Sequence, residues 1–107
     1  IQAFAPAQGR FGIALVHSPE LAPEAAAAGH RLYLCGHTHG GQISLPGGIP
    51  VLTHDQRRHG QVPRRLARGR WSHGAMTGIT STGAGASGIP LRFATPPEML
   101  RITLRRG

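Results

Sequence analysis

The strongest constraint on this chain is an alternation within its first 36 residues. Phe11-Gly-Ile-Ala-Leu-Val16 is a short, nearly continuous apolar run between Gly9-Arg10 and His17-Ser18-Pro19. That pattern belongs to a strand covered on both faces, so it reads as a central strand. Ser18 and Pro19 then offer an N-cap and a first-turn proline, Pro23 forces a second start, and Glu24 to Ala28 is strongly helical before Gly29 ends it. The helix should be short and irregular. Arg31-Leu-Tyr-Leu-Cys35 is strand-like again and stops at Gly36. Strand, helix, strand with a connection of this length suits a right-handed parallel crossover, which sets the fold class as α/β.

Beyond Gly36 the pattern loosens. Residues 40–50 are rich in Gly and Pro, with Ile43, Leu45, Ile49 and Val51 marking brief extended pieces. Thr53 to Arg70 collects His54, Arg57, Arg58, His59, Arg64, Arg65, Arg68 and Arg70 with little periodicity, and predicts a solvated excursion. Trp71 to Ser81 reads as a hairpin of two short strands, followed by a Gly-rich loop over 83–88. Leu100, Ile102 and Leu104 alternate with Arg101, Thr103 and Arg105, which predicts a strand with one face buried.

Composition removes several classes. The 107 residues fit one domain, and hydrophobic residues at 39% allow only a thin core. No apolar run approaches the ~18–20 residues of a membrane span, and no leader-like segment opens the chain. One cysteine, Cys35, excludes an internal disulfide. The net charge is +8 with His neutral, and all 12 basic side chains are Arg. Lys and Asn are both missing, which points to a G+C codon bias and weakens the Arg count as evidence for any one partner. The chain begins at Ile1 inside a loop-like stretch, so the expectation is a piece of a longer protein, with residues 1–107 a single partial domain.

The residues that carry chemistry are His17, His37 and His39. The first two fall just past the carboxyl ends of consecutive parallel strands, the edge where ligands gather in open α/β sheets. Neighbouring strands lie ~4.8 Å apart, so two imidazoles there can share one cation. His39 can turn to a second position, and Gly36, Gly40 and Gly41 supply a backbone free of Cβ for a tight loop. Neutral imidazole suits Zn, Fe and related first-row ions. A cupin pattern wants Glu near such a pair, but Gln42 stands there. A β-lactamase zinc pattern wants Asp-His, but Gly40-Gly41 follows.

Gly36-His-Thr-His-Gly-Gly-Gln42, preceded by a strand leading into His17-Ser-Pro-Glu20, resembles the C-terminal half of the calcineurin-like metallophosphoesterases. The stretch from Gly78 to Phe93, with Pro96-Pro97-Glu98 and Ile102-Thr103-Leu104, resembles one bacterial branch, which includes membrane-associated and UDP-diacylglucosamine-cleaving phosphodiesterases. The resemblance runs from about Phe11 to Leu104. It implies the C-terminal half of a layered α/β/β/α sandwich with a two-metal site at the strand ends. His17 and His37 would ligate one divalent ion and His39 the other, the ions being Mn, Fe or Zn. Arg92, beside the Gly-rich loop, is a candidate for substrate phosphate. The substrate would be a phosphoester small molecule or a lipid-linked nucleotide. The location implied is cytoplasmic or peripheral to a membrane, with any membrane contact coming from segments outside this chain.

The departures from the family pattern are specific. Its Asp-x-His motif, bridging Asp and Asn-His pair lie N-terminal to the region matched here, so the usual catalytic His falls outside this chain. Asp55, the single Asp, follows the histidines, and there is no Asn. These residues hold half a site and predict an inactive isolated fragment. Two rival readings are a metal-binding remnant without catalysis and an Arg-rich nucleic-acid module. The second is weakened by the count of five aromatics, which makes a poor stacking platform and leaves no basis for specific nucleic-acid recognition. His30, His54, His59 and His73 read as loop or surface residues, Cys35 as a small core residue, and Trp71 as a packed anchor.

Overall fold

The computed structural model describes residues 4–38, 44–46, 49–50, 63–85 and 91–106. Its frame is a mixed four-stranded sheet built from β1 (Gly12–Leu15), β2 (His30–Cys35), β5 (Gly69–His73) and β6 (Met76–Thr80), in the spatial order β1-β2-β6-β5. β1 pairs with β2 and β2 with β6 in parallel, whereas β5 returns antiparallel to β6 across the turn at Gly74-Ala75. A separate antiparallel pair joins β3 (Ser44–Leu45) to β4 (Ile49–Pro50). The α/β class follows directly. Three parallel strands end at one edge of the sheet, and the residues just beyond them meet there.

Between β1 and β2 a 3-10 turn (Pro19–Leu21) leads into α1 (Ala22–Ala27), and the two prolines seen in the sequence sit at the first turns of both. Ser18 has the extended backbone of an N-cap but makes no side-chain cap. Its carbonyl instead accepts the Tyr33 hydroxyl at 2.7 Å. Gly29, at φ 91°, ends the helix in a conformation that an L side chain resists. α1 lies on one face of the sheet, where Ala22 and Ala25 pack with Ala14, Tyr33, Cys35, Leu66, Trp71 and Met76. Small alanines let the helix come close, and the aromatic pair Tyr33 and Trp71, 5.6 Å between ring centroids, supplies the bulk.

The structure corrects four readings. β1 is an edge strand among the described residues, with alternating burial: Ala14 is inside, while Ile13 and Leu15 are exposed. An apolar run records what a strand can be covered by, not whether the cover lies in the same stretch of chain. Residues 100–104 form no ladder; Leu100, Ile102 and Leu104 are all exposed, and Ile102 and Leu104 border a groove against Leu32, Thr77 and Ile79 of the sheet. The end of the Arg-rich excursion is solvated only in part: Arg65 and Arg70 are exposed, but Leu66 and Ala67 are buried after a 3-10 turn over Arg64–Leu66. His30 is buried too, its Nδ1 3.1 Å from the Ala25 carbonyl, so it braces the helix end against β2. His54 and His59 lie outside the described residues.

Tyr33 yields a pH expectation. Burial of the phenol, with further contributions from the Cys35 and Glu20 charges, raises its pKa well above the ordinary tyrosine value of ~10. A raised folded-state value means that the stabilising contribution is complete below pH ~10 and is lost as pH climbs towards the folded value. Tyr33 is the one tyrosine of the chain, so phenolate absorbance reports on it alone within these residues. The expected result is no phenolate signal through the ordinary tyrosine range until the protein unfolds. A normal titration with the fold intact would contradict the burial.

Candidate metal centre

The carboxyl edge of the sheet gathers the two predicted ligands that fall among the described residues. The β1–β2 ladder continues past both strands: Val16 N donates to Leu34 O at 3.0 Å, and Gly36 N donates to His17 O at 3.2 Å. These bonds fix where His17 and His37 leave the sheet. Their imidazoles meet at 4.2 Å between ring centroids, tilted by 43°. His17 is exposed and His37 half-buried. His39 lies outside the described residues.

His37 occupies an unusual backbone position. Its φ is 67°, and Thr38 N donates to Gly36 O at 2.8 Å, closing a three-residue γ-turn on His37. A residue with a Cβ in this region is disfavoured by about 1–2 kcal/mol. Such strain persists only where the surroundings over-determine it, and it clusters at functional sites. Thr38, buried behind the turn, is the part that sequence reasoning missed. Its hydroxyl donates to Ala67 O at 2.5 Å. The available signal was a small hydroxyl residue next to a strand end, a type that competes for nearby backbone groups.

The donor chemistry suits a first-row cation. With metal–nitrogen bonds of about 2.0–2.1 Å, two imidazole nitrogens on one ion stand roughly 3 Å apart, and two tilted rings in contact can provide that separation. Among the described residues no group of three or more His, Cys, Asp and Glu gathers around such a position. Cys35, one residue before the glycine of the motif, is turned away into the core, 3.2 Å from Thr80 Oγ1. Burial raises its thiol pKa.

Arg92 is held by main-chain carbonyls. Its Nε donates to Thr95 O at 2.7 Å, Nη2 to Thr82 O at 2.8 Å, and Nη1 to Gly85 O. The guanidinium therefore clamps the 82–85 loop, just past β6, to the stretch around Thr95. Glu98 completes the clamp: its carboxylate accepts from Thr82 N at 2.7 Å and its own N–H donates to Gly83 O at 2.9 Å. A stretch with no regular secondary structure gains order this way, since its polar backbone groups must be satisfied somewhere.

Fold and site together define an α/β chain with two imidazoles converging at the carboxyl edge of parallel strands. The chain is similar to the uncharacterized metallophosphoesterase YkuE of Bacillus subtilis (strain 168), 37% identical over 95 residues. The match covers 89% of this chain and 31% of the relative, so the chain spans about a third of that protein's length. No family model matches the chain, and no solved structure does. No helix among the described residues is long and apolar enough to cross a membrane.

Proposed function

We propose that this chain carries the histidine side of a two-ion centre in a metal-dependent phosphoester hydrolase of the calcineurin-like type. The observation that carries the reading is the meeting of His17 and His37 at 4.2 Å, past adjacent parallel strands, in a chain similar to a metallophosphoesterase. His17 and His37 hold one divalent ion and His39 the second, each offering a neutral nitrogen lone pair. Bound there, Mn, Fe or Zn supplies Lewis acidity towards the phosphoryl oxygens and a nucleophile drawn from water. The chain's own contribution is to fix ligand direction through the His17–Gly36 backbone bond and the γ-turn at His37. Its net charge of +8 favours the approach of an anionic substrate, which we assign as a phosphoester small molecule or a lipid-linked nucleotide.

Three neutral imidazoles cannot offset the mutual repulsion of two cations, and the chain's four acids include a single Asp, Asp55. We assign the remaining carboxylate ligands, as the family resemblance implies, to segments outside these 107 residues; the relative is about three times as long. The test is hydrolysis of bis-para-nitrophenyl phosphate by the complete natural protein with Mn or Zn. Turnover that a chelator removes and added metal restores is expected, and residues 1–107 alone should give none. Turnover that resists exhaustive chelation would reject the reading.

A further inference from the structure

We infer that Thr38 is the positioning residue of the centre: its hydroxyl, bonded to the Ala67 carbonyl, holds the γ-turn that aims the His37 ring at His17. The inference rests on the reading of His37 as a ligand, and goes beyond it by assigning a role to a residue that cannot itself reach the ion through a ring nitrogen or carboxylate.

The argument begins with the strain. Left to itself, a histidine at φ 67° would relax towards negative φ and swing its side chain away, because the left-handed region is unfavourable for any residue bearing a Cβ. Among the described residues two backbone bonds restrain the turn from the sheet side: Gly36 N to His17 O, and Thr38 N to Gly36 O. Neither prevents the turn from pivoting as a unit about Gly36. The Thr38 hydroxyl supplies the third point of attachment, on the far side of His37, and it is buried, as is its partner Ala67. A buried hydrogen bond whose loss strands a carbonyl is a firm anchor, since breaking it forfeits the bond without compensation from water.

The anchor point is itself immobilised. Thr80 Oγ1, at the end of β6, donates to Leu66 O at 2.6 Å and accepts from the Trp71 indole Nε1 at 2.8 Å. With the Thr80 proton committed to Leu66 O, the Cys35 thiol at 3.2 Å is left as donor to the same oxygen. Leu66 and Ala67 are thus tied to β6 and β5 through one residue and to the His37 turn through the next. Among the described residues the His37 ring inherits its direction from the sheet through β2 and through this segment.

The test uses the complete natural protein stripped of metal, titrated with cobalt(II) and followed by visible absorption, with urea unfolding of the metal-free form alongside. Thr38→Val keeps the shape and removes the hydroxyl; cobalt affinity should fall by a factor of about 10–100, the range for groups that orient a ligand from behind. Thr38→Ser should return the affinity to within about threefold of the starting protein, because the bond to Ala67 is restored. Ala25→Gly, which loosens α1 away from the turn, should lower stability and leave cobalt affinity unchanged. If Thr38→Val fails to fold, Thr38→Ala against Thr38→Ser makes the same comparison, and equal affinities in those two would overturn the proposal. Unchanged affinity in Thr38→Val, where His37→Ala abolishes cobalt binding, overturns the positioning role and leaves the ligand reading standing. Unchanged affinity in His37→Ala overturns the reading beneath it.

Discussion

Alanine at position 37 should lower metal-dependent phosphodiester hydrolysis by the complete protein about 1,000-fold or more, because each 1.36 kcal/mol of lost transition-state stabilisation is a factor of ten and a catalytic metal supplies several kcal/mol. The effect should fall on kcat. In the proposed centre His37 would hold the ion rather than the non-reacting part of the substrate, so its loss would remove stabilisation realised at the reacting phosphorus. Far-ultraviolet circular dichroism should be unchanged, since the β1–β2 ladder runs through main-chain atoms that the substitution keeps. His17→Ala should give a loss of the same order, as its ring meets that of His37. Steady-state kinetics across a range of Mn concentrations checks both variants. Activity untouched by the His37 change would mean that the ion, if bound, sits elsewhere.

Gly78→Ala should destabilise the protein by about 2–3 kcal/mol, the upper part of the range for overpacking a filled interior. Gly78 on β6 stands directly opposite Trp71 on β5, and a Cβ added at Gly78 would overlap the six-membered ring of the indole. The indole cannot slide aside cheaply. Its Nε1 is bonded to Thr80 Oγ1, and its ring leans on Tyr33. Any shift that relieves the overlap therefore breaks a buried hydrogen bond or opens a gap beside the Tyr33 ring. A urea melt should show a lower midpoint at unchanged slope, with an altered tryptophan emission that marks the displaced ring. A midpoint equal to that of the unmodified protein would show that β5 is loosely held.

What the sequence makes legible is local. The β-α-β alternation is written in apolar runs, prolines and Gly29, and each of these acts within a few residues of itself. The approach of His17 and His37 follows from it, because residues that end neighbouring parallel strands must lie side by side. The exposed face of β1 was not legible, since Ile13 and Leu15 look the same whether or not anything covers them. Nor was the burial of Leu66 and Ala67, which depends on hydroxyls at Thr38 and Thr80, 29 and 14 residues away from their respective carbonyls. His30 was misread for the same reason: one buried carbonyl on α1 decides its environment, and no periodicity records a single hydrogen bond. Arg92 shows the limit from the other side. An arginine beside a glycine-rich loop suggests phosphate, and no local pattern records that carbonyls of that loop also hold its guanidinium.

The positive φ of His37 sets stability and chemistry against each other at a single residue. At most exposed positions glycine is worse than alanine by about 0.5–1 kcal/mol, because it has more freedom to lose. At position 37 the order reverses, for glycine alone enters the left-handed region without a steric penalty. Selection for a sturdier fold would therefore draw this site towards glycine, and in the proposed centre the need for an imidazole opposes it. If the proposed centre holds, histidine at this position gives up durability for function.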